Sequence, residues 1–257
     1  MLNKRVVGVI AVRDGWAVQS FGYQRYLPLG RAEVLAENLD RWGADEILLV
    51  CLDRTRRGLG PDVELLRRVG ERGLSTPLTY AGGVRTADHA QRVVQLGADR
   101  VCIDAVLHDD PAAVDAMAAL VGAQALIASL PVAMGPHGLE WRDYRSGRAR
   151  LLERDAPACV SNGTISEALV VDWRHEGHPE AFDEELATRW PWPHVPVIAF
   201  GGVSTVGQTE RLLAGRHVVA VGVGNFLAYR EHALQQIKAG LSLNIVRAPQ
   251  YSQQGSL

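Results

Sequence analysis

The sequence predicts an α/β fold, a (β/α)8 TIM barrel built from two homologous half-barrels, and three observations carry that prediction. The chain has 257 residues, close to the about 250 of one such barrel and too few for a second full domain. Short apolar runs rich in Val, Ile and Leu alternate eight times with segments of helical period, the pattern of βαβ units around a parallel sheet. A stretch of the first half also recurs in the second: Pro77-Leu-Thr-Tyr-Ala-Gly-Gly-Val-Arg-Thr86 aligns with Pro196-Val-Ile-Ala-Phe-Gly-Gly-Val-Ser-Thr205.

Taken in order, the first strand covers about Val6 to Val12, with a helix beginning near Arg31. The second covers Glu46 to Leu52, before a helix from near Asp62. The third, Thr76 to Ala81, precedes a helix from Thr86, and the fourth, Arg100 to Asp104, one from Pro111. Pro111 is a good start because proline is tolerated in the first turn and Asp109 and Asp110 favour the positive end of the dipole. The fifth strand is read at Ala125 to Ser129, with its helix obscured by the Arg150 to Cys159 region. Strands at Glu167 to Asp172, Val195 to Phe200 and Val218 to Gly222 follow, with helices from near Asp183, Thr205 and Arg230. The barrel is expected over 1–245, its halves at about 1–120 and 121–245. Residues 246–257 are expected to form a C-terminal tail, loose from Ser252 to Leu257.

The repeat supports duplication because order and spacing agree across two strand pairs. Pro77 falls 119 residues before Pro196, and Glu46, which opens Glu46-Ile-Leu-Leu-Val50, falls 121 before Glu167, which opens Glu167-Ala-Leu-Val-Val171.

Composition narrows the function classes. A hydrophobic fraction of 47%, a charged fraction of 22% and a net charge of -2 fit a globular protein and give no electrostatic footprint for nucleic acid or an acidic membrane. Cys51, Cys102 and Cys159 are too scattered for a disulfide framework or a zinc site, and the first two sit in apolar strands. Neither metal nor cofactor is expected. Lys4 and Arg5 lead directly into a strand, and no apolar run approaches the length of a membrane span, so a cytoplasmic protein is expected.

Each copy of the repeat ends a strand in a double glycine, Gly82-Gly83 and Gly201-Gly202, where backbone amides and a helix N-terminus can cradle a phosphate. The second half of each cradle comes from the end of the next strand, Asp104-Ala105 or Gly224-Asn225. A carboxylate at Asp104 repels an anion by roughly 1 kcal/mol or more at a few ångströms. The working anion site is therefore expected at Gly201, Gly202, Gly224 and Asn225, with a weakened or repurposed one at Gly82 and Gly83. The plain alternative is a strand-to-helix turn and nothing more.

The opening Lys4-Arg5-Val-Val-Gly-Val-Ile-Ala-Val-Arg-Asp-Gly15, the repeat, Gly97-Ala-Asp-Arg100 and Gly122-Ala-Gln-Ala125 resemble the cyclase subunit (HisF-like) of imidazole glycerol phosphate synthase along nearly the whole chain. That family receives ammonia from a glutaminase (HisH-like) and cyclises a bisphosphorylated intermediate, using aspartates at the ends of strands one and five. Here Ala11 stands at the first position, and the second falls in Ala128-Ser129-Leu130-Pro131. Gln19 replaces the usual lysine of the first loop. Alanine, leucine and proline transfer no protons, which argues against ordinary cyclase chemistry. The segment from Ala17 to Gly30 is closer to a paralogous branch associated with acetamidino sugars of surface polysaccharides, in which a separate sugar amidotransferase takes part.

The resemblance also implies that Arg5, Glu46, Arg100 and Glu167, at the starts of strands one, two, four and six, form a charged ring gating the ammonia passage, with Asp99 near the glutaminase contact. The alternative is a structural plug at the barrel floor. For acid-base work the remaining candidates are Asp172, His175 and Glu176 after strand six. Phe21, Tyr23 and Tyr26 read as a lid, a docking patch or packing over the barrel mouth, and Trp190 and Trp192 as core or partner-facing anchors. Three functions follow: an ammonia-conducting subunit for sugar amidation, partnered by a glutaminase and a sugar amidotransferase; a cyclase of histidine biosynthesis; or a scaffold or metabolite-binding barrel. A small phosphorylated metabolite is compatible with all three.

Overall fold

In the computed structural model, which describes residues 4–229, 232–241 and 246–248, eight parallel strands close on themselves. They are Arg5–Arg13, Glu46–Cys51, Leu78–Ala81, Arg100–Ile103, Leu126–Gly135, Glu167–Asp172, Val197–Phe200 and Val218–Val223. The eighth strand pairs with the first, Ala220 opposite Arg5, so the barrel leaves no open edge in its wall. All eight expected strands are present.

Alternation along each strand divides the side chains into two sets. One set, including Val6, Ile47, Leu49, Tyr80 and Leu126, faces the outer helices. The other fills the barrel with Val7, Leu48, Cys102, Ile127, Leu169, Ile198 and Ala220. The interior between floor and mouth is therefore apolar.

The helices of the repeat start alike. Thr86 accepts from the His89 amide at 3.2 Å and caps Ala87–Gln95, and Thr205 accepts from the Gln208 amide at 3.4 Å and caps Val206–Ala214. Helix Ala112–Val121 begins directly after Pro111, as the sequence predicts.

Three regions depart from a simple barrel. The first loop is a β-hairpin, Trp16–Phe21 against Arg25–Arg31, folded back on strand one. Asp14 and Gly15 both have positive φ, which makes the two-residue turn that an Asp-Gly pair favours. Strand five runs on to Gly135 and turns into Gly138–Arg142 and Ala149–Leu151, where the sequence alone suggested a stop at Ser129. The fifth crossover retains the short helix Leu152–Asp155, before Pro157, and a 3₁₀ turn Ala158–Val160, and the sixth only Glu185–Thr188, before Pro191 and Pro193. Of the expected tail, Arg247 donates to the Ala44 carbonyl at 2.9 Å. Arg230 and the stretch from Ser252 to Leu257 lie outside the described residues.

Candidate functional site

At the floor, the four charges meet. Arg5 Nη2 donates to Glu167 Oε2 at 2.6 Å, and Arg100 donates to Glu167 at 2.8 Å and to Glu46. Arg5 Nε lies 3.5 Å from Glu46 Oε2, which closes an alternating ring, and Thr79 Oγ1 donates to the other Glu46 oxygen at 2.5 Å. Glu46 is 2% exposed. Burial would raise the Glu167 carboxyl, but Arg5 and Arg100 outweigh it and hold its pKa below the ordinary value. Asp99, beside the ring, is exposed and accepts the Leu78 amide at 2.8 Å.

At the opposite end, the first glycine turn is closed by the protein itself. The Gly83 amide donates to Thr55 Oγ1 at 2.8 Å, Thr55 reaches Asp104 at 3.4 Å, and the Tyr144 hydroxyl donates to the other Asp104 oxygen. Burial, then Asp104, push the Tyr144 hydroxyl pKa upward. Gly83 has φ +72 and faces the Gly60 carbonyl so closely that a Cβ would lie 2.2 Å from it. Here the double glycine serves backbone packing.

The second turn is more open. Gly202, Ser204, Gly224 and Asn225 line a cavity of about 420 Å³ whose other wall is Phe200, Leu39 and Trp42. Gly201 packs over the Asp172 carbonyl, where a Cβ would come within 2.6 Å. The Asn225 side chain is not aimed at a ligand: it accepts the Ser20 amide at 3.1 Å and donates to the Ser20 carbonyl at 2.6 Å, tying the hairpin to the eighth strand's end.

The three acid-base candidates serve the same loops. Asp172, 1% exposed, accepts from His175 Nδ1 at 2.7 Å and from the Asp183 amide at 2.9 Å. His175 is half-exposed and lines neither large cavity. Glu176 is buried and accepts the Ser20 hydroxyl and the Tyr23 amide, both at 3.1 Å, while its own carbonyl accepts the Gly22 amide. Burial outweighs these donors and raises its pKa.

That shift has a testable sign. The folded state holds the Glu176 proton more tightly than the unfolded chain, so its stabilising contribution is fullest below the ordinary carboxyl value and falls as pH rises through the folded value. Glu176→Gln keeps an acceptor for Ser20 and Tyr23 and removes the titration. In urea unfolding, the variant should gain stability relative to wild type between pH 4 and pH 7; a gap that stays constant, or moves the other way, would refute this.

A second cavity, of about 850 Å³, opens at the barrel mouth. Ser129 and Pro131 line it, and Ala11 lines the smaller cavity. Asp104, expected at the end of strand four, does line the mouth; what sequence reasoning missed is the rest of the set, its partner Tyr144, Arg142 stacked on Trp173, and Arg13, Arg56 and Arg174. Tyr144 and Arg142 come from the extension of strand five, which no motif announced. Tyr23 packs against the barrel interior and Tyr26 donates to the Tyr23 carbonyl at 2.6 Å, so these two first-loop tyrosines line the mouth, while Phe21 does not. Trp190 is core, 4% exposed, with its indole N–H on the Val195 carbonyl.

The three thiols are buried and free; burial pushes Cys51 up to about 12 and Cys159 up to about 11. Among the described residues no group of His, Cys, Asp and Glu is placed to hold a metal ion, and no helix is long and apolar enough to cross a membrane.

Comparison with known proteins adds a consistent picture. A family model described as "Histidine biosynthesis protein" matches residues 5–233. A putative imidazole glycerol phosphate synthase subunit hisF2 of Vibrio vulnificus (strain YJ016) is 28% identical over 241 residues, covering 93% of this chain and 88% of the relative. Imidazole glycerol phosphate synthase subunit HisF of Exiguobacterium sibiricum is 30% identical over 221 residues, covering 84% and 87%. The HisF subunit of Acidobacterium capsulatum is 31% identical over 209 residues, covering 80% and 81%.

Proposed function

Because this chain belongs to the histidine biosynthesis protein family and is HisF-like, we propose that it is the barrel subunit of a glutamine amidotransferase system. In this reading it docks a HisH-like glutaminase at its floor, around Asp99, and conducts ammonia through the Arg5, Glu46, Arg100 and Glu167 ring toward the mouth. The observation that carries it is the ring itself: four interlocked charges guard the floor, while the mouth positions at Ala11 and Pro131 hold no acid or base. Ammonia is small and uncharged, and an apolar interior favours it over ammonium.

The finer assignment is amidation of a surface-polysaccharide sugar, with a separate sugar amidotransferase as the acceptor's enzyme. It rests on the segment from Ala17 to Gly30 and on Ala11 at the end of strand one; the sequence departs from that branch at strand five, where the branch often keeps an aspartate. The same reading takes the two half-barrels, at about 1–120 and 121–245, as copies, supported by the paired glycine turns and the caps Thr86 and Thr205. Gly201, Gly202 and the backbone at Gly224 and Asn225 are the phosphate seat in this account, with the Asn225 side chain serving the hairpin.

The test is glutamine hydrolysis by the cognate glutaminase with and without the barrel, using wild type and Arg5→Ala. Arg5 is the most exposed member of the ring, so its loss perturbs the fold least. The barrel should stimulate hydrolysis, and Arg5→Ala should uncouple it from amination of an acceptor. A barrel that neither binds nor stimulates the glutaminase makes the ring a plug and the proposal wrong. The names of the relatives are the observation behind a second reading, the cyclase of histidine biosynthesis, which rescue of a cyclase-deficient strain would select.

A further inference from the structure

We propose that the barrel mouth carries an arginine seat, centred on Arg142, that binds the oxyanion of a small, multiply charged ligand. The shared chemistry is a phosphate ester or a carboxylate. This goes beyond the ammonia reading and is independent of it, since a barrel can activate a glutaminase and bind no anion.

The charge balance of the mouth comes first. Arg13, Arg56, Arg57, Arg142 and Arg174 line the 850 Å³ cavity against the carboxylates of Asp53 and Asp104. Arg57 is bound to Asp14 and Asp53, and Arg13 lies 3.7 Å from Asp14, which leaves Arg56, Arg142 and Arg174 against Asp104. A concave site of this size with an excess of guanidinium groups over carboxylates concentrates anions.

Arg142 is the informative member. It ends the strand Gly138–Arg142, backbone-paired with Ala149, and its guanidinium carbon lies 3.8 Å from the centroid of the Trp173 ring. Among the described residues it makes no ion pair, and its Nε is buried without a hydrogen-bond partner. A buried unpaired donor costs free energy that a ligand acceptor would recover. Stacking occupies the guanidinium face and fixes its plane, so its edge remains to grip an oxyanion through two in-plane N–H groups. Arg174 lies 5.4 Å from the same ring and donates to the Met134 carbonyl at 2.8 Å, within reach of the same cavity.

The backbone alternative is closed at this end of the barrel. The Gly83 amide already donates to Thr55, and Asp104 stands behind it. With that turn closed, the donors left to an anion at this mouth are arginine side chains, Arg142 among them, brought in by the extension of strand five.

Calorimetric titration of the full chain with sodium pyrophosphate, and separately with citrate, tests this in wild type, Arg142→Gln and Arg174→Gln. The second glycine turn lies in the other cavity and contributes equally to all three proteins. Wild type should bind at least one probe, and the tighter of the two identifies phosphate or carboxylate as the source. Arg142→Gln should weaken that binding by about tenfold or more, with Arg174→Gln weakening it less. Circular dichroism confirms that the variants are folded, and if Arg142→Gln does not fold, Arg174→Gln decides alone. Wild type that binds neither probe, or folded variants that bind as tightly as wild type, would overturn the proposal.

Discussion

Replacing Glu46 with alanine should destabilise the barrel by about 3 to 5 kcal/mol, the range for removing one partner of a buried ion pair. Glu46 contacts Arg5, Arg100 and Thr79 at once. Its loss leaves the Arg100 guanidinium, which is largely buried, facing Glu167 alone, and strands the Thr79 hydroxyl. The cost comes from an uncompensated buried charge, since the net worth of a complete ring is small once desolvation is counted. Replacing all four ring residues by apolar side chains of similar volume should therefore cost much less than the single Glu46→Ala change. Denaturant unfolding of both variants measures the difference. A single-variant loss below about 1 kcal/mol would mean that the floor is solvated and the ring carries little of the structure.

Gly83→Ala should cost about 3 kcal/mol, combining a left-handed backbone that alanine resists with overpacking against another segment's main chain. The added Cβ would sit 2.2 Å from the Gly60 carbonyl oxygen, and that segment is itself held by Arg54, which donates to the Leu59, Gly60 and Pro61 carbonyls. Relief requires moving main chain. The equivalent change at Gly202 meets the Phe182 amide nitrogen at 2.8 Å and should cost less. Unfolding midpoints of the two variants give the comparison directly. If Gly83→Ala lies within 1 kcal/mol of wild type, packing is not why glycine stands there, and an approaching ligand becomes the better explanation.

The barrel was legible because its strands are short, apolar and regularly spaced, and because the repeat fixed their order. Val6 to Val12 and Val218 to Gly222 could be read as strands from composition alone, although nothing local shows that Arg5 lies opposite Ala220. The floor was legible only through resemblance: Arg5, Glu46, Arg100 and Glu167 are far apart in the chain, and only closure brings them together. The mouth was less legible. Pro131 reads as a strand ending, yet it sits within Leu126–Gly135, where it accompanies the continuation into the hairpin that delivers Arg142 and Tyr144. Asp104 was recognised as an obstacle to an anion, but its partners Thr55 and Tyr144 come from two other loops. Asn225 was read as a ligand donor because its bond to Ser20 spans nearly the whole chain. The Asp14-Gly15 turn, by contrast, was available to a reader looking for a hairpin.

The sequence separations in the floor ring also bear on how the chain reaches its native state. Arg5 and Glu167 are 162 residues apart, and Arg100 and Glu167 are 67 apart. Bringing such distant segments together costs loop entropy before any contact rewards it. The ring is thus complete only once strands from both halves have assembled, so its contacts are expected to form late. Interactions formed after the rate-limiting step act on unfolding more than on folding. The expected kinetic signature is that Glu46→Ala speeds unfolding more than it slows folding.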